Sequence, residues 1–338
     1  MTTQILITID TELAWRHFRP GENWHRLFDR SCEPAGVGIS YQLELLRRHD
    51  LKACFFVDPM PALVFGLDPI RRMVAPVVEA GQEVQLHLHS FWHDVAAGED
   101  EKPRFHLTDF DGPDQLRLIE TASNLLIAAG APSPVAFRSG SYAADSRTLG
   151  ALRELGIHFD SSHNGAAAPW PSALPFAADL IDPVRDHGVN EIPVSLMRRR
   201  NGALRPLQLC AISSAEMQSA MRHAEAEDHG LVTIVSHSFE LATRDGRRIN
   251  QVVRKRFDGL IAFLAAHRSQ FPTTSFTALD ALPESSGSQP MEACPLQTAG
   301  RVAEQFWADA RYERPATAAT AIGGTPLSTL DLLPLVGL

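Results

Sequence analysis

Short apolar runs rich in β-branched residues recur along this chain, separated by stretches in which apolar residues return every three or four positions. The first pattern fits buried strands and the second fits amphipathic helices. Strands are expected over Ile5–Asp10, Ala53–Asp58, Glu83–His89, Val135–Ser139, His158–Ser161, Glu191–Val194 and Leu231–His237. Helices are expected over "GISYQLELLRRH", "PIRRMVAPVVEA", "DQLRLIETASNLLIAAG" and "DSRTLGALRELG". Three of these reach a glycine at or just past their ends, where helices commonly stop. Strand-then-helix alternation predicts an α/β fold with helices outside a parallel sheet. Spread over about 280 residues, it predicts a deformed or incomplete (β/α) barrel with about seven parallel strands. The alternation ends near Leu282, so residues 1–282 are expected to form the barrel. Residues 283–338 then read as a linker, "PESSGSQP", and a tail rich in Ala, Thr, Pro and Gly. A short helix is expected around Val302–Arg311, and the apolar end "LSTLDLLPLVGL" could fold back on the protein.

Polar residues at the strand ends turn the question from fold to chemistry. Asp10, His87, His89, Arg138, Asp160 and His237 all fall at C-terminal ends of expected strands, the rim where barrels of this kind build their sites. In "GQEVQLHLHSFWH", His87 and His89 share one face of a strand, because side chains two apart point the same way. His89 and His93 are four apart and could meet after a turn. Imidazoles of this kind suit zinc and related divalent ions, and a carboxylate commonly completes the set. With 14 histidines in the chain, some clustering also arises without a metal. In "TIDTE", one of Asp10 and Glu12 could bind the ion while the other serves as a base. A plain acidic strand-to-loop cap explains the same pair. Arg138, in "VAFRSGSYA", ends an apolar strand and needs a carboxylate, since an unpaired buried guanidinium is costly. The small Ser139 and Gly140 that follow let backbone N–H groups approach a ligand, although a structural Arg–Asp pair accounts for Arg138 equally well. His237, in "LVTIVSHSFEL", would supply the general acid that amide cleavage requires, whereas a lone histidine after a buried strand is more often structural.

Charge and composition narrow the classes. A formal charge of −9 and a single short basic knot at Arg198–Arg200 argue against nucleic acid. Four scattered cysteines (Cys32, Cys54, Cys210, Cys294) form no CxxC pair and fit a reducing compartment. No apolar run reaches the roughly 20 residues of a membrane span. Met1–Gln4 run straight into the first strand without a secretory leader, so a cytoplasmic location is expected. No nucleophile signature of the G-x-S-x-G kind is present, which fits hydrolysis without a covalent intermediate.

Taken in order, "TIDTE", "ACFFVD", "GQEVQLHLHSFWH", "FRSGSY", "FDSS" and "VTIVSH" resemble the motifs of the polysaccharide deacetylase family (NodB-homology, carbohydrate esterase family 4) over roughly residues 4–282. The resemblance implies Asp10 as general base, oriented by Arg138, and Glu12 as a metal ligand. By the H-S-x-x-H spacing it implies His89 and His93 as the other ligands. Counting from Gly81, however, His87 falls where the first family histidine would, so a set of Glu12, His87 and His89 stays open. Tyr142 or the nearby backbone would bind the oxyanion, and His237 would protonate the leaving amine with Asp160 tuning it. Trp15, Trp24 and Trp92 lie near the motifs and could stack on a sugar ring or simply pack in the core. The implied function is removal of the acetyl group from an N-acetylated amino sugar, glycan or sugar conjugate by metal-activated water. The cofactor would be one divalent ion, Zn2+ first, with Co2+, Mn2+ and Ni2+ also compatible. Two departures stand out: Thr11 separates acids that are usually adjacent, and Phe91 takes a ligand position if His87 is the first histidine. The alternatives are a non-sugar amidohydrolase opening a cyclic amide or ureide, and an inactive sugar-binding barrel. Intact Asp10, Arg138 and His237 argue against the last. A homo-oligomer is compatible with the sequence.

Overall fold

The computed structural model describes residues 2–99, 102–279 and 287–312. Its strands are β1 Gln4–Thr11, β2 Cys54–Val57, β3 Glu83–Leu88, β4 Ala136–Ser139, β5 Phe159–Asp160, β6 Val184–Asp186, β7 Val189–Glu191, β8 Leu196–Arg198, β9 Leu204–Pro206, β10 Leu231–His237 and β11 Met291–Glu292. Its α-helices are α1 Trp24–Ser31, α2 Ile39–Arg48, α3 Ala62–Phe65, α4 Asp68–Glu79, α5 Phe91–Ala96, α6 Gly112–Ala128, α7 Ser146–Glu154, α8 Ser214–Ala226, α9 Gln251–Ala266 and α10 Pro295–Tyr312.

The main sheet has the order β10-β1-β2-β3-β4-β5-β7-β6. Every neighbouring pair is parallel except the β6–β7 edge hairpin, so seven parallel strands curl into a half-barrel. This is the incomplete barrel that the strand–helix alternation predicts. The free edge of β10 is covered by irregular backbone instead of a strand: Leu209 N–H donates to Val235 O at 3.1 Å and Val235 N–H to Leu207 O at 2.9 Å.

Two features differ from the expected layout. The strand expected at 191–194 lies earlier, as β7, and it is reached through a reversal at His187-Gly188, both with positive φ (50° and 85°). A two-residue turn of that kind matches the twist of the flanking strands, but its first residue here is a histidine and carries little turn signal. The small sheet β11-β8-β9 was also not apparent, because its strands have only two or three residues each.

Strand periodicity divides the core in two. Ile5, Ile7, Ile9, Phe55, Val57 and Leu86 face outward and pack against helix residues such as Leu46, Val74, Val77 and Leu126. Leu6, Cys54, Phe56, Ala136 and Leu231 face inward, where Phe276 and Leu279 pack with them. Each apolar side chain so buried contributes roughly 1.5–3 kcal/mol, and this offsets the cost of holding polar groups in the inner row above. That row continues along the same faces, two residues at a time, into Asp10 of β1 and Glu12 just beyond it, His87 of β3 and His89 just beyond it, Arg138 of β4 and His237 of β10.

After β11, α10 lies against α8 and α9. Gln297 Nε2 donates to Ser219 Oγ at 2.8 Å, Arg256 pairs with Glu304 at 2.9 Å, and Arg301 lies 3.7 Å from the buried Glu216. Residues 283–286 of the expected linker and the apolar stretch 327–338 lie outside the described residues. Among the described residues, no helix is long and apolar enough to cross a membrane.

Candidate active site

Arg138 anchors the site. It is fully buried, and its guanidinium donates to Asp10 Oδ1 at 2.7 Å, Thr8 Oγ1 at 2.9 Å, Ser161 O at 3.1 Å and Ser161 Oγ at 3.0 Å. Its flat face rests on the Phe56 ring at 4.4 Å. These contacts satisfy a buried cation and fix one oxygen of Asp10 in place. The other oxygen of Asp10 lies 3.8 Å from His237 Nε2, and β1 and β10 place these two residues in direct register.

Beside them, Glu12, His87 and His89 bring three potential ligand atoms within 4.8 Å of one another. His87 Nε2 lies 3.1 Å from Glu12 Oε2, and His89 Nε2 contacts the same oxygen. On its far side, His87 Nδ1 donates to Arg138 O at 2.7 Å, which turns Nε2 towards Glu12 as the nitrogen available to a ligand. Gly140 sits so close to His89 that a Cβ there would fall 2.5 Å from Nδ1, so the imidazole is held by backbone. Burial alone would raise the Glu12 carboxyl, but His89 and His87 hold it well below the usual carboxylate range. Burial opposes charge on His89 too, yet Glu12, Asp58 and Asp10 push it up to about 9. The pocket therefore favours positive charge, and two imidazoles with one carboxylate fit a divalent ion.

His93 stands apart from this group. It sits in the first turn of α5, its side chain half exposed, with Nδ1 3.1 Å from Asp94 Oδ1. The strand period carries His89 to the side of His87, whereas the four-residue spacing to His93 crosses from strand end into helix. The structure thus places the open alternative, Glu12 with His87 and His89, together.

Two other expected residues are placed differently. Trp92 is fully buried among Phe18, Phe65, Phe91 and Trp15, which leaves no face for a substrate. Trp15 and Trp24 are partly buried against the same core. Asp160 does not reach His237. It accepts from Ser162 Oγ at 2.6 Å, and its Oδ2 and Glu191 Oε2 are both buried with no other hydrogen-bond partner, so the two interacting acids are expected to share a proton. The partners of His237 Nδ1 are Gln208 Nε2 at 3.4 Å and Glu240 Oε1 at 3.7 Å. Burial would lower His237, but Glu240 and Asp10 raise it above its ordinary value.

Tyr142 does lie at the site. Its hydroxyl is buried without a hydrogen-bond partner, and the charges it feels most are Arg138 and Asp10. Ser141 and Tyr142 both adopt positive φ, 55° and 60°. Two consecutive left-handed residues cost of order 1–2 kcal/mol each, strain of the kind that collects at functional loops.

Sequence reasoning missed Asp58, Glu240, Gln208 and Glu191. Asp58 carried the signal that exposed Asp10, an acid ending an apolar strand. Burial pushes it up to about 6, with His89 and His87 opposing. The long-range partners, Gln208 and Glu191, carry no local signal.

The shared proton gives a test. Burial raises Asp160 to about 6 although its contact with Glu191 opposes the rise, and burial together with the Asp160 charge raises Glu191 well above its ordinary value. The folded state therefore binds protons that the unfolded chain releases. That stability is complete below about pH 4 and fades as pH rises through 6 and beyond. Glu191→Gln replaces the proton with an amide donor and keeps the acceptor for His163 N–H, now 2.9 Å away. The apo variant is expected to match the native chain near pH 5 and to gain about 1–3 kcal/mol at pH 8, a rise of several degrees in Tm. An equal or lower Tm at pH 8 in thermal scans would rule out the shared proton.

No family model matches the chain, and no curated protein matches it in sequence. Solved structures do match in shape. A candidate polysaccharide deacetylase from Mycobacterium smegmatis has a TM-score of 0.52 at 18% identity, over 80% of this chain and 86% of that one. A 4-α-glucanotransferase from Thermococcus litoralis has a TM-score of 0.51 at 13% identity, over 82% of this chain but 40% of that one. A family 4 carbohydrate esterase from Streptomyces lividans, solved with acetate, has a TM-score of 0.44 at 12% identity, over 85% of this chain and 98% of that one. The first two establish a shared fold, the deformed (β/α) barrel. That fold serves more than one chemistry, so the function must be argued from the site.

Proposed function

We propose that this chain is a metal-dependent hydrolase that removes the acetyl group from an N-acetylated amino sugar, glycan or sugar conjugate. One observation carries the reading: Asp10, gripped by Arg138, has His237 3.8 Å from its free oxygen and the Glu12–His87–His89 group on the same rim. A base and an acid side by side, next to a divalent-ion site, are the parts that amide hydrolysis needs.

Glu12, His87 and His89 would hold the ion, which when bound supplies Lewis-acid activation of water and of the scissile carbonyl. Asp10, kept in one orientation by Arg138, takes a proton from the attacking water. His237 carries its proton to the leaving amine nitrogen, and Glu240 and Gln208 fix its ring through the Nδ1 side. The orphaned Tyr142 hydroxyl is a donor ready for the developing oxyanion.

The test is a substrate panel run beside metal analysis. Protein reconstituted with zinc and desalted is expected to hold about one ion per chain, and Glu12→Ala to lose it. The loaded protein is expected to release acetate from at least one N-acetylated amino sugar or oligomer. Ring opening of a cyclic amide or ureide without acetate release would move the reading to the other amidohydrolase class. A native chain that holds no ion and releases no acetate would overturn the proposal.

A further inference from the structure

Asp58 stands one residue beyond β2, and its N–H extends the β1–β2 ladder by donating to Thr11 O at 3.0 Å. Thr11 pairs with Val57, and Val57 with Leu86. Carried one step on, that register sets Asp58 between Glu12, just past β1, and His87 of β3. Phe56, two residues earlier, belongs to the inner face and lies under Arg138, so Asp58 shares that face. The carboxyl is fully buried: Oδ1 accepts from Met60 N–H at 3.0 Å, while Oδ2 has no hydrogen-bond partner among the described residues. An unpartnered buried carboxylate oxygen is costly and calls for a compensating charge. Asp58 is outside the Glu12–His87–His89 ligand group, so it is placed to act on an ion there without ligating it.

Charge counting says what it would do. Arg138 already balances Asp10. A dication on Glu12 and two neutral imidazoles leaves one net positive charge in a buried pocket, and one further carboxylate cancels it. We propose that Asp58 is a positioning carboxylate for a divalent ion held by Glu12, His87 and His89, tightening the ion from its outer sphere. This rests on the hydrolase reading above and adds a fourth residue to its metal centre.

Asp58→Asn isolates the charge, because asparagine keeps the acceptor for Met60 N–H. Zinc affinity is read by competition with a chromophoric chelator on the native chain, Asp58→Asn and Glu12→Gln, and apo stability by thermal unfolding. Asp58→Asn is expected to bind zinc about 10- to 100-fold more weakly. Its apo form is expected to be at least as stable as the native apo protein, since a buried carboxylate is costlier to desolvate than a buried amide. A purely structural role predicts the reverse: lower apo stability, or failure to fold, with affinity unchanged in whatever folds. Either of those results overturns the proposal. Tight zinc binding by the native chain, lost in Glu12→Gln but kept in Asp58→Asn, removes Asp58 alone and leaves the hydrolase reading standing. No zinc binding by the native chain removes both.

Discussion

On the hydrolase reading proposed above, Asp10→Asn is expected to lower kcat for acetate release by about 10²- to 10⁴-fold, the usual contribution of a positioned general base, while leaving the zinc content of the reconstituted protein unchanged. The change is nearly isosteric. Asparagine still offers Arg138 an acceptor at the position that Asp10 Oδ1 holds 2.7 Å from Nη1. What it lacks is the basic carboxylate beside His237. Steady-state rates on the preferred N-acetylated substrate, with elemental analysis of the same preparations, separate this from loss of the ion. A variant that loses rate and zinc together would make Asp10 a contributor to metal binding. A variant that keeps its rate would send the search for a base elsewhere in the rim.

The second large effect is on stability. Arg138→Met removes a fully buried cation and leaves Asp10, Thr8 and Ser161 without the donor they share. Breaking one side of a buried ion pair typically costs about 3–5 kcal/mol, because the remaining charge stays buried. Denaturant unfolding of the apo protein should show a loss of that order. Asp10→Asn in the Arg138→Met background should recover part of it, since the stranded charge is then gone. A loss below about 1 kcal/mol, or no recovery in the double variant, would mean that water reaches Asp10 freely and that Arg138 is not what holds it.

Some of this was written along the chain. β1, β3 and β10 are long, apolar and β-branched, and their periodicity of two is unambiguous, so both the strands and the facing of Asp10, His87 and His237 could be read directly. The helices α2, α4, α6 and α7 were equally plain from their apolar spacing, and the last three also from a glycine at or just past their ends. The two-residue β5 falls inside the strand expected at His158–Ser161 and β7 lies close to the one expected at Glu191–Val194, but the three-residue strands β6, β8 and β9 were not legible, because so few residues carry no usable period. Their existence depends on neighbours already in place.

The site divides along the same line. Local spacing puts His87 and His89 on one face, and chain order supplies an acid, an arginine and a histidine at successive strand ends. Spacing alone left three histidines competing for two places. The choice depends on where β3 ends and α5 begins, which side-chain packing decides. The family resemblance implies Asp160 as the residue that tunes His237, but β5 stands five places from β10 in the sheet order, and the acid that Asp160 interacts with is Glu191. Gln208 reaches His237 only because an irregular segment covers the edge of β10.

By itself the sequence determined the elements, their inward and outward faces and the kinds of side chain delivered to the rim, since these follow from dihedral preferences and a repeat of two or 3.6 residues. Only the tertiary structure decided which of those side chains meet. Contacts between residues tens to hundreds of positions apart depend on strand order, register and curl, and none of these is a local property of the chain.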